Sequence, residues 1–315
     1  DINKNIAFNE LFILNNKKNK LNIGDLGYLI GPILNAGGRL GKSNLATDLL
    51  SSDNLEIVTN KSNELIKLNN KRKQIETLIL DEIDFQKIEN ENKDVIIYYK
   101  PNINEGLIGI IAARLKDYFN KPSLVITNSN DVLKGSARSV YNYSIGLGIK
   151  NSLDKNIIIS GGGHNMAAGF TLKKSNLKPF ADFILKDFLN KRTKSDNIFT
   201  YDSEISSRAL NKDFNNDIKK LEPYGIGNAV PIFLIRDLKV IKNTILNNKH
   251  ISLILKSNMG FTIKSISFNT ANTKVGKYLM NYKDKFNVLG HIDENIWNNK
   301  KTLQLTIRDI ILQLN

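Results

Sequence analysis

Hydrophobic and polar positions fall into three successive patterns along the chain. From about Leu55 to Ile83, Leu65, Leu68, Ile75, Leu78 and Ile79 recur at helical spacing, which predicts one long amphipathic helix. Lys71-Arg72-Lys73 within it reads as a solvated basic face. The preceding residues 1 to 50 look helical and irregular, with Ser43 placed to cap a short helix through Leu45 and Leu49. Between 94 and 191, strand-like and helix-like runs alternate. Val95 to Tyr99, Ser123 to Thr127, Lys134 to Val140 and Asn156 to Ser160 read as strands, and Glu105 to Phe119, Ser144 to Leu153 and Asn176 to Asn190 as helices. That alternation predicts an α/β layer. Lys191 to Asn197 is polar and reads as a linker. Beyond it come short runs: Ile232 to Ile235, Leu238 to Ile241, Ile251 to Leu255, Phe261 to Phe268, Lys285 to Ile292 and Thr302 to Ile310, with Asn247-Asn248 and Asn298-Asn299 as turns. Short strands at that spacing predict a small barrel of the OB type, an architecture that binds single strands.

Composition narrows the function. A chain of 315 residues that is 41% hydrophobic can bury a full core in two or three domains. It has no cysteine, which excludes disulfides and thiolate metal sites and fits the cytoplasm. No apolar run is long enough to span a membrane, so no membrane partner is expected. The first residue is Asp1 rather than Met, as expected of a fragment or a processed chain. Lys and Arg number 45 against 31 Asp and Glu, a formal charge of +14, and such an excess favours a polyanionic partner. Lysine is abundant throughout, so the arginines discriminate better, because a planar guanidinium grips phosphate in a way lysine does not.

The most informative run is Gly161-Gly162-Gly163-His164-Asn165-Met166-Ala167-Ala168-Gly169. It reads as a glycine turn between two elements. Bare glycine backbone can turn N–H groups toward an oxyanion, and His164 adds a donor at the same place. In Gly135-Ser136-Ala137-Arg138-Ser139, strand alternation puts the Ser136 hydroxyl and the Arg138 guanidinium on one face. Arg39 follows Gly37-Gly38, where mobile backbone could bring it against a phosphate; a structural salt bridge is the alternative. Leu107, Ile108, Ile111, Ala112 and Leu115 describe a buried helix face, with the helix N-terminus open to a phosphate. Trp297, the only tryptophan, either stacks on a base or plugs the barrel.

Several of these segments, in this order, resemble one family. Leu34-Asn35-Ala36-Gly37-Gly38-Arg39-Leu40, Glu105 to Leu115, Gly135 to Ser139, the Gly161 to Gly169 run, Leu221 to Asn228 and Trp297 to Leu305 are similar to the RecJ-type single-stranded-DNA-specific exonucleases. The glycine run also resembles the DHHA1 signature of the DHH phosphoesterase superfamily. Ile103-Asn104 stands where the family commonly has Trp-His, and Ile33 where it has an arginine. The resemblance implies an α/β fold: the end of a DHH lobe over 1–54, a connecting helix over 55–93, a DHHA1 domain over 94–191 and an OB-type barrel over 197–315.

It also implies processive 5′-to-3′ hydrolysis of single-stranded DNA in repair and recombination, with Mn²⁺ or Mg²⁺ activating water. No Asp-x-Asp or Asp-His-His sequence occurs in this chain. The metal ligands are therefore expected in a DHH lobe outside it, and the chain alone is expected to be inactive. Asn35, Arg39, Ser136, Arg138, Ser139, Gly162, Gly163, His164 and Trp297 are the implied strand-binding residues, with His164 and Arg39 the candidates for a catalytic role. Expected partners are single-stranded DNA, a single-strand-binding protein and a repair helicase, with the chain itself monomeric. Two other functions remain open: a strand-binding protein without catalysis, and a phosphoesterase acting on short oligonucleotides or cyclic dinucleotides.

Overall fold

The computed structural model describes residues 5–17, 23–193, 200–225, 227–271, 273–297 and 300–312, apart from the side chains of 296, 297 and 300. The chain divides into two compact units, Asp1–Asp196 and Asn197–Asn315.

The first unit begins with helices. These are α1 (Ile6–Leu14), α2 (Ile23–Asp25), which runs through a π-helical turn at Leu26–Ile30 into α3 (Gly31–Arg39), then α4 (Asn44–Leu50) and α5 (Leu55–Asp81). Asn54 starts α5 by accepting from the N–H groups of Glu56 and Ile57, an ordinary N-cap. Ser43 occupies the capping position of α4 without a side-chain bond. Ala7, Leu11, Ile30, Ile33, Leu49, Val58 and Leu65 form the core of this helical lobe. The buried stripe of α5 is Val58, Ser62, Leu65, Asn69, Arg72, Glu76 and Ile79, a seven-residue repeat that turns polar halfway. The hydrophobic spacing placed the stripe partly elsewhere, and Leu78 is 64% exposed. Arg72, expected in solvent, is buried.

After α6 (Phe85–Glu91) comes a five-stranded sheet. Its strands are β1 (Ile96–Tyr99), β2 (Ser123–Ser129), β3 (Val132–Arg138), β4 (Ser160–His164) and β5 (Ala167–Lys173), with α7 (Glu105–Phe119) between β1 and β2, α8 (Ile145–Asp154) between β3 and β4, and α9 (Leu177–Lys191) last. The order across the sheet is β1-β2-β3-β5-β4. β1 and β2 are parallel, and the other pairs antiparallel. One face packs on α8 and α9 through Leu133, Ala137, Ile145, Ile149, Phe170, Phe180 and Ile184. The other takes α7, whose Leu107, Ile108, Ile111, Ala112 and Leu115 are all buried as their spacing predicts.

One expectation fails here. Gly161, Gly162 and Gly163 lie inside strand β4, and the turn is the dipeptide Asn165-Met166 that follows. None of the three has positive φ. They are an edge strand stripped of side chains rather than a turn.

The second unit is a barrel. After β6 (Ser203–Glu204) and α10 (Lys212–Lys219) come β7 (Phe233–Leu246), β8 (His250–Ser257), β9 (Thr262–Ser267), α11 (Lys274–Asn281), β10 (Phe286–Trp297) and β11 (Lys300–Leu312). β7, β8 and β9 form a meander, β11 runs parallel to β9, and β10 closes the ring by pairing with β7 as well as β11. This closed five-stranded arrangement is OB-like. The two apolar runs expected as separate strands, Ile232 to Ile235 and Leu238 to Ile241, lie in the single strand β7. Asp237 sits at the junction with φ 56°, and the register shifts between Val240 and Lys242. Asn247 and Asn248 form the β7–β8 turn with φ 50° and 54°, the left-handed conformation Asn tolerates. The Asn298-Asn299 turn lies outside the described residues.

Candidate nucleic-acid interface

The sheet alternates, so Leu133, Gly135 and Ala137 of β3 face the α8–α9 core while Ser136 and Arg138 face the α7 side. Gly109 of α7 lies over them. A Cβ there would be 3.0 Å from Arg138 Nη2 and 3.1 Å from Ser136 Oγ, so the bare glycine leaves room for the pair. Arg138 Nη1 donates to Ser136 Oγ at 3.2 Å and to the Ala137 carbonyl at 2.8 Å.

Arg39 approaches the same place from the end of α3. Its Nη1 donates to the Gly106 carbonyl at 3.0 Å, in the first turn of α7. The contact is reciprocal, because a Cβ on Gly106 would lie 2.2 Å from the Arg39 carbonyl oxygen. Gly37 and Gly38 lie within helix α3. Gly37 serves packing instead, since a Cβ would sit 2.6 Å from the Lys42 carbonyl. Asn104 caps α7 by accepting from Gly106 N–H at 2.9 Å, and Ile103 beside it is buried. Gly106→Ala is expected to force α3 and α7 apart at a cost of about 1–3 kcal/mol, read as a lower urea midpoint; an unchanged midpoint would show that the two helices do not depend on this approach.

Behind these groups lies an ion lattice. Buried Glu76 binds Arg72 Nη1 at 2.7 Å and Arg114 Nε at 2.8 Å. Arg72 Nε also donates to Asn69 Oδ1 at 3.1 Å. Burial, then the Arg72 charge, pushes the Arg39 pKa below the usual arginine value, with Glu76 opposing. Burial, then Arg39, does the same to Arg138. Among the described residues neither Arg39 nor Arg138 has an ion-paired carboxylate. Two half-buried cations, one repelled by the other and neither ion-paired to a carboxylate among the described residues, make a site that favours an anion.

Beyond the reach of α7 the same sheet face is open. Across β3, β5 and β4, Ser136 is level with Gly169 and Gly162, and Arg138 with Ala167 and His164. Gly162 has nothing within 4 Å of a would-be Cβ, and Gly162, Gly169 and His164 are exposed. This is a trough floored by glycine, with Ser136 and Arg138 along one side and His164 two strands away, about 10 Å at the usual strand spacing. Gly162, Gly163 and His164, with Lys150 of α8, also line an open cleft of about 620 Å³ along the β4 edge.

The other sequence candidates are placed as follows. Asn35 is exposed on α3. Gly163 serves packing, since a Cβ would lie 2.3 Å from the Ala167 carbonyl. Ser139 is buried, and its hydroxyl donates to the Tyr143 carbonyl at 2.7 Å; it anchors the loop after β3 and has no reach to a phosphate. The Trp297 side chain lies outside the described residues, although its backbone pairs with Lys300 in the β10–β11 hairpin.

The barrel carries residues that the motif reading missed. Lys239 and Lys256 are cross-strand partners on β7 and β8, and Lys264 of β9 is level with Ile254 and Lys242. All four lysines are exposed on the outer face, and none is ion-paired among the described residues. Exposed Phe268 stacks edge-on against His250, 5.3 Å between ring centres, beside the same face. The signal was in the sequence, because no acidic residue occurs between Asp237 and Asp284. Abundant lysine elsewhere concealed it.

Among the described residues no three His, Asp, Glu or Cys side chains converge as metal ligands. The described residues do not fit a divalent-metal centre.

Comparison with known proteins defines the class. Residues 92–191 match the DHHA1 domain, and residues 201–309 match the RecJ OB domain. The RecJ single-stranded-DNA-specific exonuclease of Haemophilus influenzae is 30% identical over 286 residues, covering 84% of this chain and 48% of that protein. The Bacillus subtilis RecJ is 26% identical over 291 residues, covering 90% and 36%. Crystal structures of Thermus thermophilus RecJ in complex with Mg²⁺ and with Mn²⁺ superpose with TM-scores of 0.78 and 0.79 at 20% identity, covering 99% of this chain and 47% and 45% of those chains. This is a DHHA1 domain followed by an OB barrel. The chain carries a RecJ OB domain behind a DHHA1 domain and is similar to the carboxy-terminal part of the RecJ exonucleases, spanning about half or less of these relatives' length.

Proposed function

We propose that this chain is the strand-holding part of a 5′-to-3′ exonuclease specific for single-stranded DNA, acting in repair and recombination. The carrying observation is the Arg39–Arg138–Ser136 group at the head of α7: two half-buried guanidiniums with no ion-paired carboxylate among the described residues, opening onto a glycine-floored trough. Such a site takes a phosphate bidentately and reads no base. A strand fits the trough because Gly162 and Gly169 let a sugar-phosphate backbone lie directly on the sheet. The lysine face of the barrel adds a second, sequence-independent electrostatic contact.

In this reading residues 1–54 close a DHH lobe, 55–93 connect, 94–191 grip phosphates and 197–315 form the barrel. His164 and Arg39 stand beside the terminal phosphate as the candidates for a catalytic role. The Mg²⁺ or Mn²⁺ that generates hydroxide belongs to ligands outside the described residues. The nuclease works as a cytoplasmic monomer alongside a single-strand-binding protein and a repair helicase.

The test is binding by this chain, with and without Mn²⁺, to single strands, duplexes and dinucleotides, each with and without a 5′-phosphate. Long single strands are expected to bind best, more tightly when phosphorylated, and to remain intact. Preference for duplex, or indifference to the phosphate, would remove the reading. Metal-dependent hydrolysis by the pure chain would overturn the placement of the metals.

A further inference from the structure

Phosphate donors alone do not distinguish a strand from free phosphate; a nucleotide also presents a flat, weakly polar base. One end of the five-stranded sheet supplies surface for it. The loop between β3 and α8 is tied to the β4–β5 turn: Ser139 N–H donates to the Met166 carbonyl at 2.9 Å, Ile145 N–H to the Asn165 carbonyl at 3.1 Å, and Ser144 Oγ to Asn165 Oδ1 at 2.9 Å. Three large apolar side chains on the segments so tied, and in the first turn of α8 that follows, are not used by the core. Tyr141 is 96% exposed, Leu147 56% and Met166 43%. Tyr141 has no ring partner or side-chain hydrogen bond among the described residues, and it follows Arg138 by three positions on a loop anchored at both ends. Leu147 and Met166 line the same cleft as His164 and Lys150.

We infer that Tyr141, Leu147 and Met166 form a nucleobase platform, on which the Tyr141 ring stacks against the base of a nucleotide whose phosphate lies in the Arg138–His164 row. The inference rests on the phosphate reading above and extends it to the base. A tyrosine face accepts any base, because every base has a π-face, and a methionine adapts its shape to whichever base lies beside it. An anchored loop loses little freedom when the ring is covered, so the stacking is retained as affinity. Apolar groups adjoin phosphate donors at this end of the sheet, which is the chemistry of a nucleotide.

The experiment compares two 5′-phosphorylated strands of equal length, one normal and one abasic over its first few positions, bound to the whole chain. Tyr141→Ala is expected to weaken the normal strand roughly five- to 150-fold, the equivalent of about one stacked base, and to leave the abasic strand unchanged. Tyr141→Phe is expected to bind both strands as the parent does. Equal affinity of Tyr141→Ala for the normal strand, or the same loss on the abasic strand, overturns the platform and leaves Tyr141 as surface for something other than a base. Arg138→Ala separates the two levels, because it should weaken both strands alike. If it weakens neither, the phosphate row itself is wrong. Thermal melting of each variant confirms that folding is unchanged, as expected for a side chain that touches nothing in the core.

Discussion

Glu76→Gln is expected to destabilise the first unit by about 3–5 kcal/mol, the usual result of removing one partner from a buried ion pair. Glu76 is only 6% exposed, and its carboxylate holds Arg72 at 2.7 Å. Its bond to Arg114 contributes less, because the Arg114 side chain is 56% exposed and solvent screens such pairs. Without the Glu76 charge, the Arg72 guanidinium remains buried, with Asn69 still accepting from its Nε and with Arg39 close enough to repel it. Urea unfolding followed by circular dichroism measures the loss. Glu76→Gln combined with Arg72→Met should recover most of it, since an apolar isostere removes the stranded charge. A double variant no better than the single one would show that the stability comes from packing and not from the ion pair.

That lattice was the least legible part of the sequence. Helical spacing exposed the α7 stripe completely, because all five of its buried positions are apolar. On α5 the stripe runs through Ser62, Asn69, Arg72 and Glu76. Polar residues at core positions read as surface until a neighbouring helix is seen to bury them. The glycine run misled differently. Three adjacent glycines suggest a turn when only local backbone freedom is considered, yet Gly161 is fixed by packing, with a Cβ 2.8 Å from Ile149 Cγ2. Pairing with β5 and the approach of α8 decide the conformation, and both are non-local. Ser136 and Arg138 were placed correctly on one face because strand alternation is local. That Arg39 converges on them from a helix far back in the chain could come only from the ordered motifs.

Replacing Arg39 and Arg138 together by alanine is expected to weaken binding of 5′-phosphorylated single strands by about 10²- to 10⁴-fold, from about 1.5–3 kcal/mol for each charge-assisted hydrogen bond to phosphate. The salt slope should flatten as well, by about 0.7 for each phosphate that the variant no longer neutralises on a single strand. Arg138→Lys should restore the slope but only part of the affinity, because an ammonium keeps the charge and loses the fork. Stability provides the independent check. In the folded chain burial and then a neighbouring arginine, Arg72 for Arg39 and Arg39 for Arg138, lower the pKa values of both, so folding is opposed by their charged forms throughout the accessible pH range. Arg138→Met, which keeps a comparable stem beside Gly109, should therefore melt no lower than the parent while binding phosphorylated strands far more weakly. A group held for the fold gives the reverse pattern, a lower melting temperature with affinity intact. Unchanged or higher stability together with weakened binding is what an anion site imposes, because the repulsion that strains the free protein is relieved only when phosphate enters.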